Sequence, residues 1–194
     1  NAGVRKQSYV VERIDDQNHQ PIYRAAHLSA PTLDPSAAWM TSQLMEEVLT
    51  HGTAASARSL GFKLPAAGKT GTTNDYKDAW FVGYTSSLTC GVWVGFDQPT
   101  TIISRGYGAA LALPVWVQVM NKSAARYPAK ALEPTMPMAR VTVCAASNAL
   151  ATTGCEMDGS AYDIVLPADK VPTQACPVHG GEPTEFAERL DNIP

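Results

Sequence analysis

Two runs of eight residues, Ala79–Ser86 (AWFVGYTS) and Thr89–Phe96 (TCGVWVGF), are separated only by Ser87-Leu88. Both are rich in β-branched and aromatic residues, which favour a pleated, half-buried surface. A two-residue link between such runs leaves one simple geometry, an antiparallel hairpin. A further extended run over 66–73 precedes it. The spacing therefore predicts three neighbouring strands.

Helical patterns flank this sheet. Asp34 is an N-cap residue, and Pro35 suits the first helical position. Ala37, Met40, Leu44 and Val48 then form an apolar stripe, His51 falls in the last turn and Gly52 just past it. Residues 54–60 predict a short second helix. Leu113, Trp116, Val117, Met120 and Ala124 fit the face of another, ending before Pro128. Nearer the start, 8–14 and 22–24 read as two strands joined by turn residues 15–19. The expected class is α+β, an antiparallel sheet covered by helices.

Glu133–Pro137 holds two prolines and marks a boundary. Residues 1–132 are expected to form one domain. A short strand at 141–144 opens a Gly/Pro/Cys-punctuated satellite over 139–181. Glu182, Glu185, Glu188 and Asp191 make 182–194 an acidic, solvated tail.

Composition removes several classes of function. Hydrophobic residues are 45% and charged residues 17% of the 194, which excludes wholesale disorder. A net charge of −3 offers no nucleic-acid surface. The most apolar stretch, 107–120, is too short to span a bilayer and contains Pro114. The chain begins at Asn1 without a signal peptide, which reads as a piece of something longer.

Gly68-Lys69-Thr70-Gly71-Thr72 is the segment that carries chemistry. A phosphate-cradling loop would need glycine five positions before Gly68, where Lys63 stands, and Gly61 is off register. Acyl transfer to an active serine is the other chemistry that uses Lys-Thr-Gly. Side chains alternate along a strand, so Thr70 and Thr72 share a face and can hold a substrate carboxylate. Gly71 lets a peptide approach the backbone closely. The backbone N–H of Thr72 can stabilise a developing oxyanion, and Lys69 supplies a cation for anion binding or proton transfer.

The flanks sharpen this reading. Gly68–Thr85 (GKTGTTNDYKDAWFVGYT), Gly91–Asp97 (GVWVGFD), His51–Ala54 and Pro65–Ala67 resemble the transpeptidase domain of class A (bifunctional) penicillin-binding proteins. The resemblance covers roughly 8–127. It implies the C-terminal part of that domain, from a membrane-anchored, extracytoplasmic (periplasmic) synthase with an upstream glycosyltransferase. Such an enzyme attacks D-Ala-D-Ala stem peptides through a serine, cross-links peptidoglycan, is acylated by β-lactams and needs no cofactor. Carried over by position, Lys69 and Thr72 are catalytic, and Thr70, Gly71, Thr72 and Thr73 contact substrate. Asn74 and Asp78 are structural, with Asp78 ordering the turn. Trp80 and Phe81 are expected in the core.

The chain departs from the family pattern at the nucleophile. No lysine has serine three residues before it, and no Ser-x-Asn occurs. The isolated chain is therefore expected to be inactive. Lacking upstream strands, it is also expected to expose a sheet edge and self-associate. A non-catalytic periplasmic module that binds cell wall or protein is the alternative. A serine β-lactamase is a third reading, against which the synthase-like flanks argue.

Cys144, Cys155 and Cys176 cluster in the last third, spaced by 11 and 21 residues, and predict a local staple. Similar Cys-containing tails follow the transpeptidase domain in some class A proteins, which implies a setting where disulfides persist. The first choice is a Cys155–Cys176 disulfide worth about 3 kcal/mol, with Cys144 able to replace either partner. The alternative is a metal set of Cys144, Cys155, Cys176 and His179, since Cys-x-x-His is a zinc-compatible spacing. Cys90 reads as a small core residue.

Overall fold

The structure is a computed structural model that describes residues 1–184 and 188–190. In chain order the elements are β1 (Val4–Lys6), β2 (Arg13–Asp15), β3 (Pro21–Arg24), β4 (Ser29–Pro31), α1 (Pro35–Thr50), α2 (Ser56–Ser59), β5 (Ala67–Thr72), β6 (Asp78–Tyr84), β7 (Thr89–Gly95), α3 (Gly108–Leu111), α4 (Leu113–Ser123), β8 (Met138–Cys144), α5 (Thr153–Asp158), β9 (Ala161–Pro167) and β10 (Glu188–Leu190). Every strand pairing is antiparallel, and the class is the expected α+β. The chain forms two compact units. One is Met40–Glu133; the other joins Asn1–Trp39 to Pro134–Pro194.

In Met40–Glu133 the hairpin forms as expected, and the sheet order is β5-β6-β7. Thr85 and Leu88 close the turn, the Thr85 N–H donating to the Leu88 carbonyl at 2.8 Å. β6 alternates strictly: Ala79, Phe81 and Gly83 are buried, Trp80 and Val82 exposed. The buried face meets α4. Trp116 stands between Phe62 and Phe81, each ring centroid 4.9 Å from its own, and its indole N–H donates to the Cys90 carbonyl at 3.1 Å. Leu49, Leu113, Val117 and Met120 complete this core, against which Cys90 packs.

Two core assignments need correction. Trp80 lies on the other face, 43% exposed, against Trp93 of β7. Period two puts it opposite to Phe81, so both could not be core. In α1 the apolar period is present, but the buried phase is shifted by one residue. Leu49 is fully buried while Leu44 is 71% exposed, because Ser42 rather than Leu44 faces the sheet and meets the Tyr84 hydroxyl at 2.9 Å.

In the other unit β2 pairs with β3, β1 with β4, and β8 lies between β9 and β10. The N-terminal hairpin is shorter than expected: 8–12 are not strand, and Asp16 holds the turn by accepting from the N–H groups of Asn18 and Gln20, both at 2.8 Å. Asp34 caps α1, its carboxylate accepting from the Ala37 N–H at 2.9 Å. Of the residues expected as an acidic tail, Glu188 belongs to β10, while Glu185 and Asp191 lie outside the described residues.

All four cysteines are free, so the Cys155–Cys176 disulfide is not formed. The reason is geometric. Cys144, Cys155 and Cys176 are buried together, and each sulfur faces His179 Nδ1, at 3.4, 3.4 and 3.6 Å.

Candidate functional site

β5 is an edge strand among the described residues, paired with β6 on one side alone. Thr70 lies opposite Phe81 and Thr72 opposite Ala79. Both partners are buried, so the two threonines share the face that Phe81 takes, as the alternation required. Gly71 lies opposite Trp80, and a Cβ there would stand 3.1 Å from the Trp80 Cβ.

Lys69 folds along the strand instead of extending from it. Its Nζ donates to the Thr70 carbonyl at 3.0 Å and to Thr70 Oγ1 at 3.2 Å. Thr70 Oγ1 is also 2.9 Å from Thr53 Oγ1. One ammonium and two hydroxyls thus meet at the strand edge, where charge-assisted donors suit a carboxylate or an oxyanion. Thr53, on the turn after α1, carried no spacing signal that marked it.

Thr72 is held from behind. Its Oγ1 accepts the Gly108 N–H of α3 at 3.1 Å, leaving its own proton to donate. Thr73 is differently placed. Its hydroxyl donates to Asp78 Oδ2 at 3.2 Å and accepts the Asp78 N–H at 2.8 Å. Asp78 orders the turn, as expected, and also accepts the Trp93 indole N–H at 2.8 Å. The Thr73 hydroxyl is thereby committed to the turn and does not project with those of Thr70 and Thr72.

The β5–β6 turn carries strained backbone. Asp75 and Tyr76 have φ of 60° and 55°, in the left-handed region that non-glycine residues rarely occupy. The turn delivers the Tyr76 hydroxyl to that of Tyr107, 3.1 Å away, with the rings edge-on at 5.1 Å. This hydrogen bond holds the Tyr76 phenol above its ordinary pKa. Neither tyrosine was given a role by the sequence: Tyr76 falls inside the resembling run 68–85 and Tyr107 in an irregular segment.

A second group of chemistry-bearing residues lies in the other unit. Burial opposes ionisation of Cys144. Hydrogen bonds from the Ser147 hydroxyl, from the backbone at Ala146 and Ser147, and from the Ser160 hydroxyl outweigh it and lower the thiol to about 5. Cys176 is also lowered; burial opposes, and the Ser147 hydroxyl with the His179 and Val178 N–H groups prevails. His179 is raised, first by Cys176 and then by Cys144.

The family model for the penicillin binding protein transpeptidase domain matches residues 1–121. The chain belongs to this transpeptidase family. It is 40% identical over 140 residues to a protein named penicillin-binding protein 1A from Neisseria lactamica, covering 69% of this chain and 17% of that one. Its namesake from Pseudomonas aeruginosa is 46% identical over 89 residues, covering 46% of this chain and 11% of its own length. The chain thus spans under a fifth of the transpeptidase relatives it matches. The crystal structure of penicillin-binding protein 1A from Haemophilus influenzae shares the fold with a TM-score of 0.73 at 19% identity, over 89% of this chain and 31% of that chain. Lys69–Thr72 and the turn to Asp78 fall inside the transpeptidase family match; the cysteines from Cys144 onward lie beyond it.

Proposed function

We propose that this chain supplies the substrate-holding strand of a D,D-transpeptidase that cross-links peptidoglycan outside the cytoplasmic membrane. The transpeptidase part is assigned to 1–132, with 139–181 a Cys-containing satellite and 182–194 an acidic end. The observation that carries the reading is the meeting of Lys69 Nζ, Thr70 Oγ1 and Thr53 Oγ1 on an edge strand.

In this reading an extended stem peptide lies along β5, where the unpaired edge offers backbone hydrogen bonds. The Thr70 and Thr72 hydroxyls hold its terminal carboxylate, and Gly71 clears room for its backbone. A serine, supplied by a Ser-x-x-Lys segment that these 194 residues do not contain, attacks the D-Ala-D-Ala carbonyl. The serine Oγ–C bond forms, the peptide C–N bond breaks, and the serine's proton ends on the departing D-Ala amine. The Thr72 N–H steadies the oxyanion, and Lys69 assists the proton transfer. A β-lactam carbonyl enters the same position and leaves the serine acylated.

Intact mass tests the assignment. The 194-residue chain incubated with a β-lactam keeps its unmodified mass. A longer chain carrying Ser-x-x-Lys takes up one acyl group, and Lys69→Ala there slows acylation on the order of 10²-fold. Acylation of the 194-residue chain itself, or an undiminished rate in Lys69→Ala, overturns the assignment.

A further inference from the structure

We propose that Cys144, Cys155, Cys176 and His179 form a closed, structural zinc site. Their ligand atoms all lie within 4.8 Å of one another. His179 Nδ1 is 3.4 Å from Cys144 Sγ, 3.4 Å from Cys155 Sγ and 3.6 Å from Cys176 Sγ. With Zn–S of about 2.3 Å and Zn–N of about 2.0–2.1 Å, tetrahedral angles place sulfur and nitrogen roughly 3.6 Å apart. The three measured separations fall at that value. A disulfide would draw two of the sulfurs to about 2 Å and leave the third sulfur and the ring without a purpose.

The surroundings are those of a metal site as well. His179 turns its other ring nitrogen, Nε2, to Asp158 Oδ2 at 3.3 Å. A carboxylate behind a ligating imidazole fixes the ring and strengthens it as a donor. Backbone N–H groups point at the sulfurs: Thr152 N to Cys155 Sγ at 3.3 Å, and Val178 N and His179 N to Cys176 Sγ, both at 3.4 Å. The Ser147 hydroxyl donates to Cys176 Sγ at 3.2 Å. Such donors stabilise thiolates, the form in which cysteine binds metal.

Ligand chemistry selects the ion. Three thiolates and an imidazole favour zinc, whereas magnesium and calcium require oxygen donors. All four positions are protein ligands, with the cysteines buried and the His179 side chain 19% exposed, so no site is open to substrate. The role is structural. The buried cluster here is Cys144, Ala151, Cys155 and Cys176. Three of its four members are the proposed ligands, so the metal would sit at the centre of this cluster and hold it together. The ion would tie the end of β8, the first turn of α5 and the Cys176–His179 turn to one point. The close seat of that turn is visible in Gly154, where a Cβ would stand 2.2 Å from the Gly180 carbonyl oxygen.

Metal analysis of the full 194-residue chain, purified under reducing conditions without chelator or affinity histidines, tests the proposal. One zinc per chain is expected, released when the thiols are blocked with a mercurial. Cobalt(II) exchange should give the intense visible bands of a tetrahedral site and a near-ultraviolet thiolate charge-transfer band. Cys90→Ser keeps these signals, while Cys155→Ser and His179→Gln lose the bound metal. The wild-type cobalt spectrum and the Cys90→Ser control remain informative even if a ligand variant fails to fold. A reduced chain that holds neither zinc nor cobalt overturns the proposal. So does a native chain, isolated unreduced, whose mass is two hydrogens light with Cys155 and Cys176 joined.

Discussion

A Cβ built at Gly108 would stand 2.2 Å from the Trp80 carbonyl oxygen and 2.7 Å from that of Gly71. Both obstacles are backbone, which cannot swing aside as a flexible side chain would. The bare α-carbon is what lets α3 sit on the strands and send its N–H to the Thr72 hydroxyl. Gly108→Ala should therefore lower stability by about 1–3 kcal/mol, the usual cost of overpacking. It should also weaken β-lactam acylation in a longer chain that carries the serine. A thermal melt with an unchanged midpoint would refute this. At this scale the sequence was legible where a residue type has one chemical use, as for Lys69 in Lys-Thr-Gly. It assigned no role to Thr53, although His51–Ala54 belongs to the resemblance, and none to Tyr107 or Gly108. Each matters through a neighbour more than 15 residues away, and nothing in a local pattern encodes that neighbour.

Elements were legible in proportion to their regularity. The β6–β7 hairpin announces itself because both strands alternate and only two residues join them. α1 has clear ends, but several small side chains leave its buried face underdetermined, so the sequence suggests Leu44 where packing chose Leu49. β9 escaped because Asp163 interrupts its apolar run; in place that carboxylate simply accepts the Thr142 hydroxyl at 2.7 Å. The start of α1 carries a second device. Ser36 donates to Asp169 Oδ1 at 2.8 Å, and Lys170 Nζ lies 3.0 Å from the same carboxylate. Lys170 first, and then Ser36, hold the Asp169 pKa below its ordinary value. A lowered pKa means that the unfolded chain binds the proton more tightly. The contribution is thus complete above the usual aspartate pKa of about 3.9 and fades as the pH falls through the folded value. Asp169→Asn should melt earlier than the parent at neutral pH, and the difference should close well below pH ~4. A gap that persists undiminished in acid would contradict this origin.

For the molecule as a whole, the open borders of its sheets matter most. β5 and β7 each have one unpaired side among the described residues. Such borders template pairing with another chain, and Lys69 is the one charged deterrent on β5. Sedimentation should show self-association growing with concentration, and a single monomeric boundary throughout would reject that expectation. The class and the transpeptidase portion were readable at this scale because the diagnostic residues are contiguous. The division into compact units was not, since one of them is assembled from both ends of the chain. That discontinuity sets a timetable for synthesis. Met40–Glu133 is complete as soon as it clears the ribosome and can fold at once. β1–β4 pair among themselves at once, but Ser36 meets Asp169 only after the stretch between them has been made, on the order of ten seconds at about 5–20 residues per second. During that interval the start of α1 lacks its distant partner. It is there, in newborn chains instead of finished ones, that a chaperone or a protease would find its opening.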